Sequence, residues 1–471
     1  MIVFAFLLAF AIKPIWWASG GDSRVYLSVA QSIWDHFTLE SLGEPEIFNQ
    51  IGVAIFYAPA FAFGDRPFLA LSIFQWLAAV GTMLGCYRWF RRYINRDDSI
   101  LLTGLVMFNV CYWICYLRFL SEIWCCFLLI CMALVLRHII DLLKEQRFGL
   151  AWGWQVASIP LSIWMVLTRN VTSMIAPGFA IAVLLLAWQG KRRKIWLHGL
   201  LMIVMVNAVA GSTAVGWQWY QGTTVVQDKT VHGSYMEFLA NDMGKQGDNL
   251  LSIAADNTHR RMTNIGRAMI PGMFRTYPET GQWLHPLSVL NAALSVVLLI
   301  GFIKLARGKL DAYTWMPLPF MVLMWAIPYQ GGTRFVLPIL PVMWLCLHRV
   351  LEGRSWRKTV FLVLLVMHLI VTVGRVVTVY PHELARDQDW ALMQQIAQRT
   401  REIDVENHWY TVGVDSDWVN MISLSSNRPI WEWHDRGDRL PQHIIVFDGV
   451  KPPEGYNLIQ TIDQYHLMEK R

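Results

Sequence analysis

Eleven apolar runs, most of them long enough to cross a bilayer, leave this chain few ways to fold. They are read at Ile2–Trp17, Pro67–Trp89, Ser99–Leu117, Ser121–Leu142, Leu150–Leu167, Thr172–Trp188, Ile195–Trp217, Pro286–Leu305, Tyr313–Ile327, Phe335–Leu351 and Thr359–Tyr380. Hydrocarbon gives backbone amides no water to bond, so a run of about 18 apolar residues must be a helix that satisfies its own amides. The expected fold class is therefore an α-helical polytopic membrane protein with about 11 transmembrane helices and a small C-terminal extracytoplasmic α/β domain. Composition agrees, with 55% hydrophobic and only 16% charged residues over 471 positions. Twenty-four Trp and 15 Tyr suit aromatic belts at two membrane interfaces.

The net charge of +6 is spread in short basic clusters between apolar runs, where topology signals belong, and a nucleic-acid partner is not expected. With Met1 in the cytoplasm, Arg88, Arg91, Arg92 and Arg96, then Arg137, Lys144 and Arg147, then the Lys191–Lys194 run all fall inside. Lys304, Arg307, Lys309, Arg349, Arg354, Arg357 and Lys358 follow them, whereas the opposite short loops hold little beyond Arg118, Arg169 and Arg334. That distribution obeys the positive-inside rule and predicts a multi-pass protein with a cytoplasmic N-terminus. The first run has neither a basic leader nor a small-residue cleavage pattern, so it is expected to be a retained anchor. All seven cysteines lie in or at the ends of apolar runs, which indicates neither a disulfide framework nor a zinc site.

Residues 1–380 form the expected transmembrane domain, with outer loops at 18–66 and 218–285, and 381–471 the expected soluble periplasmic domain. In the tail a helix-like stretch, Asp387–Arg401, precedes strand-like runs at Tyr410–Val414, Pro429–Trp433 and His443–Phe447. In the middle loop, Ser234–Leu239 and His259–Met269 have mixed apolar and charged faces, fitting either interfacial helices or helices packed on the bundle. Size and the lack of eukaryotic retention signals favour a bacterial cytoplasmic membrane.

Against this background a few charged residues stand out. Asp22 follows the first run in Gly20-Gly21-Asp22-Ser23-Arg24, with Tyr26 four residues on. A carboxylate at the mouth of a bundle costs several kcal/mol unless paired or wet, so it reads as functional, or else as the N-cap of a helix from Ser23 to His36. Arg118, Arg169 and Arg334 each begin or end a run on the outer side. A guanidinium fork matches two phosphate oxygens, so these arginines could hold a lipid phosphate whose tail runs between helices; each could instead pair a local carboxylate or an anionic headgroup. Arg118 has Glu122 four residues on as such a partner, while the Gly331-Gly332 turn before Arg334 suits close approach of an anion. Glu46 supplies a second acid in the first outer loop. A phosphate leaving group needs cations and no acid catalyst, so one general base plus arginines suffices to move a sugar from a lipid phosphate. Such a site requires the acid and the arginines to converge on one outer pocket.

Other classes compete. A flippase for lipid-linked sugars would show broken spans or two similar halves, and no internal repeat is evident. A polysaccharide polymerase or ligase would put charged residues in a large middle loop, where Lys245, Arg260, Arg261, Arg267 and Arg275 lie. A phosphoethanolamine transferase would need a larger, metal-bearing soluble domain. His232 and His259 could touch an acceptor or a metal, and a carboxylate-held Mg²⁺ or Mn²⁺ could bind with the donor present.

Asp22 with Tyr26, the Pro/Gly/aromatic stretch Phe48–Phe63, Ser121-Glu122, Leu167-Thr168-Arg169 and Arg334-Phe335 with Pro338 and Pro341 together resemble the GT-C integral membrane glycosyltransferases. The tail, with its helix, strand and Ser425–Pro429 turn, resembles the small soluble domain many of them carry. The resemblance implies transfer of a monosaccharide from a polyprenyl-phosphate donor to a hydroxyl of a glycan, lipid or protein on the outer face. It implies Asp22 as base, Glu46 as second acid, and Arg334, Arg169 and Arg118 at the donor phosphate, with Arg24, Tyr26 and Glu122 in support. The paired acids and Lys-Pro step of the branches related to protein O-mannosyltransferases and lipid A aminoarabinose transferases are missing, since Ser23 follows Asp22 and Ile47-Phe48 follows Glu46.

Overall fold

The Ser121–Lys144 helix shows how an apolar run becomes a span. Its 24 residues rise about 36 Å, slightly more than the hydrocarbon core of a bilayer. Its acidic first turn carries Glu122, and its last turn carries Lys144. The computed structural model describes residues 1–10, 12–13, 21–41, 44–45, 50–64, 66–190, 193–224, 250–271, 282–307, 311–326, 332–388, 390–403, 409–412, 422, 430–432, 442–447, 450–451 and 456–470.

Among those residues, eight helical segments are long and apolar enough to cross a membrane: Phe68–Phe90, Ser121–Lys144, Phe148–Thr168, Asn170–Gln189, Arg193–Thr223, Pro286–Ala306, Thr333–Leu351 and Arg357–Thr378. A ninth is reached if Arg96–Met107 and Val110–Leu117, bent by 52°, count as one span. Two of the eleven runs are not among these spans. The first is described as a helix over Ile2–Ala9, 8 residues that rise about 12 Å, and Pro14–Trp17 at its end lies outside the described residues. The run at Tyr313–Ile327 is split instead of continuous, because Asp311 caps a short Ala312–Trp315 helix and a separate helix, Pro317–Ala326, begins at a proline.

The bend between Arg96–Met107 and Val110–Leu117 leaves no backbone stranded where it matters. Asn109 Nδ2 donates to Ala268 O at 2.5 Å, its Oδ1 accepts from Cys111 N at 3.0 Å, and Phe108 O accepts from Thr372 Oγ1 at 3.1 Å. Side chains thereby replace the helical bonds the break removes. Glycines allow two close crossings: a methyl at Gly301 would collide with the Cys346 carbonyl, and one at Gly266 with the Asn291 amide. The outward surface stays apolar, with Leu197, Leu200 and Val204 exposed on one long helix and Ile370, Val373 and Val377 on another. In water such faces would be a liability; against lipid tails they are the required solvent-facing side.

In the middle loop, of which Ser234–Leu239 lies outside the described residues, the Leu250–Met269 helix packs against Pro286–Ala306 and Pro317–Ala326 and buries His259, Arg261 and Arg267, as a helix packed on the bundle would. Arg261 Nε donates to Met324 O at 2.8 Å and Asn257 Nδ2 to Trp325 O at 2.9 Å, tying it to the end of Pro317–Ala326.

The chain divides into two compact units, one of residues 1–12, 73–116 and 121–376, the other of 13–72, 117–120 and 377–471. The second unit contains the tail sheet, whose strands run in the order Ile430–Glu432, Trp409–Val412, His443–Phe447, Tyr465–Lys470, Tyr456–Ile462. The first three are mutually parallel, and Tyr465–Lys470 runs antiparallel to both of its neighbours. Ile444, Val446, Tyr456 and Met468 form its buried core, and the Trp390–Ile403 helix packs on the sheet. The mixed α/β tail is as expected, and the closing hairpin Tyr456–Lys470 adds two strands to it. The same unit holds the Gly21–His36 helix, which packs on Gly52–Tyr57 and on the 3-10 turn Ala58–Phe63.

Candidate active site

Glu122 begins as a consequence of local sequence. A carboxylate in the first turn of a helix meets the positive end of the helix dipole, and here that turn is buried, with Glu122 2% exposed. A buried carboxylate needs cations or donors, and the bundle delivers two. Arg169 Nη1 lies 2.5 Å from Glu122 Oε1 and donates to Ser121 Oγ at 3.1 Å; Arg334 Nε lies 3.4 Å from the same Oε1. Glu122 Oε2 is buried with no hydrogen-bond partner among the described residues.

Each arginine is placed by a break in a helix. Arg169 sits in extended backbone (φ −160°, ψ 122°) between the end of Ile159–Thr168 and the 3-10 turn Asn170–Met174. Thr172 Oγ1 pins that corner by donating to Met165 O at 2.8 Å and Arg169 O at 2.6 Å. Arg334 lies in the first turn of the 3-10 segment Thr333–Ile339, which Pro338 keeps from being an ordinary α-helix. Phe335 joins the two cations, its ring centroid 4.7 Å from the Arg169 guanidinium carbon and 5.5 Å from that of Arg334. Both guanidiniums thus lie over the face of one ring, a favourable placement for a cation. Side-chain exposure rises from 2% at Glu122 through 13% at Arg169 to 26% at Arg334, so the cations face outward from a buried anion.

Of the arginines singled out in the sequence, Arg169 and Arg334 come together, and they meet on Glu122, expected there as a supporting residue. The alternative pairing of Arg118 with Glu122 is not among the ion pairs of the described residues, where Glu122 meets Arg169 and Arg334. The Val110–Leu117 helix ends before Arg118 and Phe119 takes φ +52°, so Arg118 and Glu122 are not one helical turn apart. Phe119 anchors that corner in the second unit, stacked on Phe68 (6.4 Å, 8°) and edge-on to Tyr57. Phe335 and Ser121 were legible only as neighbours in the motif; their contacts depend on tertiary packing.

Asp22 lies in the first turn of the Gly21–His36 helix, within the helix and not ahead of it as its N-cap. It is half-buried, while Arg24 and Tyr26 beside it are buried, and burial pulls the Arg24 guanidinium down to about 10. Asp22, Arg24, Tyr26 and Arg118 belong to the second unit, Glu122, Arg169 and Arg334 to the first. Glu46 and His232 lie outside the described residues. His259 is no exposed loop histidine: its Nε2 is 2.9 Å from Ser288 Oγ and its ring packs on Trp283 at 4.9 Å. Burial lowers its pKa. Among the described residues no three His, Cys, Asp or Glu side chains gather as a metal site.

No model of a known protein family matches the sequence, and no curated protein matches it. Solved structures do. ArnT from Cupriavidus metallidurans bound to undecaprenyl phosphate superposes with a TM-score of 0.58, covering 99% of this chain and 97% of that one at 10% identity. The chain has the ArnT fold. The apo form of the same ArnT gives 0.54 at 11% identity with the same coverage. An Archaeoglobus fulgidus oligosaccharyltransferase, in complex with Zn and sulfate, reaches 0.49 at 13% identity, over 91% of this chain and 61% of its own. The likeness to GT-C enzymes noted in the sequence is thus matched by an ArnT fold along almost the whole chain, although the paired acids of that branch are missing from it.

Proposed function

We propose that the protein is a membrane glycosyltransferase that moves a monosaccharide from a polyprenyl-phosphate carrier to an acceptor hydroxyl on the periplasmic face of a bacterial inner membrane. The observation that carries this is buried Glu122 holding Arg169 and Arg334 together at one end of a bundle with the ArnT fold. An ArnT of that fold was solved with undecaprenyl phosphate bound. Two guanidiniums stacked on Phe335 suit a lipid phosphate, since each offers paired N–H donors to paired oxygens.

Two further features support a lipid-linked donor on the outer face. The 3-10 segment carrying Arg334 also supplies Ile339 to an apolar cleft of about 500 Å³, lined by Leu298, Leu299, Phe302, Val322 and Met343 among others, which suits an isoprenoid chain. About 28 Å along the helix from Glu122, Asp141 is bridged by Arg92, Arg137 and Lys144. That basic end fits the cytoplasmic side and leaves the Glu122 end outside.

In the proposed reaction the acceptor oxygen bonds to the anomeric carbon as its proton passes to Asp22. The bond from that carbon to the phosphate oxygen breaks, and the electron pair stays on the phosphate. Arg169, Arg334 and Arg118 stabilise the charge that develops there, Arg24 and Tyr26 hold the Asp22 helix, and Glu46 is the second acid. The alternative of a polysaccharide polymerase or ligase drew on a basic middle loop, but Arg261 and Arg267 of that loop are buried in the bundle.

The test is direct. Purified protein given a polyprenyl-phosphate monosaccharide and an acceptor extract should release polyprenyl phosphate, and Asp22→Asn should slow this by roughly 10²–10⁴-fold while the protein stays folded. Full turnover in the variant removes Asp22 as base; no release by the unmodified protein with any donor removes the class.

A further inference from the structure

Glu122 has a role that phosphate binding by itself does not call for, because a carboxylate beside an anion site weakens it. We propose that Glu122 sets how strongly the arginine pair discriminates between lipid phosphates, narrowing its preference for the spent carrier over the sugar-loaded one; this rests on the donor reading given above. Sugar transfer changes the charge of the bound anion. The loaded carrier is a phosphodiester with a single negative charge. Once the bond to the anomeric carbon breaks, the carrier is a phosphomonoester with about −1.5 to −2 charges at neutral pH. Arginines placed to bind the first will therefore bind the second better, and the product would hold the site.

Glu122 opposes that trend. Its Oε1 lies 2.5 Å from Arg169 Nη1 and 3.4 Å from Arg334 Nε, and at 2% exposure its charge is little screened by solvent. A fixed negative charge repels a bound anion in proportion to the anion's own charge. The monoester thus loses up to twice as much binding energy as the diester, and the gap between them narrows. The pairing with Glu122 also keeps both guanidiniums in place when the carrier departs, so the site does not have to be rebuilt for each turnover.

The experiment measures the affinity of purified protein for undecaprenyl phosphate and for its methyl diester at one pH and ionic strength. In the unmodified protein the two should bind within roughly tenfold of each other. Glu122→Gln should tighten the monoester by roughly 10- to 100-fold and the diester by about the square root of that factor, with product inhibition of turnover rising and kcat and the donor KM falling together. Glu122→Asp, which retains the charge, should keep the unmodified ratio. A monoester bound more than tenfold tighter by the unmodified protein overturns the proposal without any variant. So does an unchanged ratio in Glu122→Gln, or equal loss of both lipids, which would make Glu122 only a support for the arginines. Binding of neither lipid to the unmodified protein defeats the donor reading itself, whereas binding of both with an unaltered ratio defeats only the role of Glu122.

Discussion

Three carboxylates are buried among the described residues of the first unit, Asp98, Glu122 and Asp311, and the contrast between the first two separates a clamp from a site. Asp98, fully buried, lies in the first turn of Arg96–Met107 and gathers its donors on one oxygen: Arg357 Nη2 at 2.6 Å, Asn95 Nδ2 at 2.8 Å and His348 Nε2 at 3.1 Å. Those partners come from the starts of two helices and the end of a third, so Asp98 ties helix ends together. Glu122 occupies the same place in its helix but faces two guanidiniums on one aromatic ring, the outer of them 26% exposed. Among the described residues both acids keep one oxygen without a hydrogen-bond partner, so saturation does not distinguish them. What does is the number of full cations per acid and how far those cations reach toward the surface. One arginine and an imidazole match Asp98; Glu122 has two arginines.

The comparison yields an ordered set of expected outcomes. Asp98→Ala should have the largest effect on folding, because it leaves the Arg357 guanidinium without its carboxylate; removing one partner of a buried pair costs about 3–5 kcal/mol. Thermal unfolding in detergent should show that loss, and lipid-phosphate affinity at temperatures where the variant is folded should be unchanged. Arg334→Ala should do the reverse. Loss of charged hydrogen bonds worth about 1.5–3 kcal/mol weakens undecaprenyl phosphate binding by roughly 10- to 150-fold, while Glu122 keeps Arg169 and the melting temperature moves little. If the two variants prove alike in both measurements, the distinction between clamp and site collapses. Lys358→Ala gives the smallest effect. Its pair with Asp97, 3.2 Å apart with both side chains more than half exposed, should contribute no more than about 1 kcal/mol, less as salt is added.

How much of this could be read beforehand depended on whether neighbours in sequence or in space decide the outcome. Ser121–Leu142 was legible as a span because continuous apolar character suffices, and the helix runs only to Lys144. The run at Tyr313–Ile327 misled because hydropathy averages over Pro317, which restarts the helix, and misses Asp311 just ahead of the run, which caps the short one. In the tail, His443–Phe447 shows as an apolar run and was legible, but Tyr456–Ile462 places Asn457, Gln460 and Thr461 among its apolar residues and gave no such signal. At the site, Arg169 and Arg334 stood out as lone cations between apolar runs. Glu122 as their common partner did not, because 47 residues separate it from Arg169, while Arg118, only four residues away, is the partner the sequence suggests. Asp22 was legible by its setting, although its place within the helix rather than before it was not.

The central claim is that Arg169 and Arg334 hold the phosphate of a lipid carrier, and it is tested most directly by determining where undecaprenyl phosphate sits on this protein in a lipid nanodisc. The account predicts phosphate density with oxygens about 2.7–3.2 Å from guanidinium nitrogens of both arginines, and the chain leading into the apolar cleft that begins at Ile339. A phosphate bound elsewhere, with Arg169 and Arg334 still closed on Glu122 as in the free protein, would contradict it.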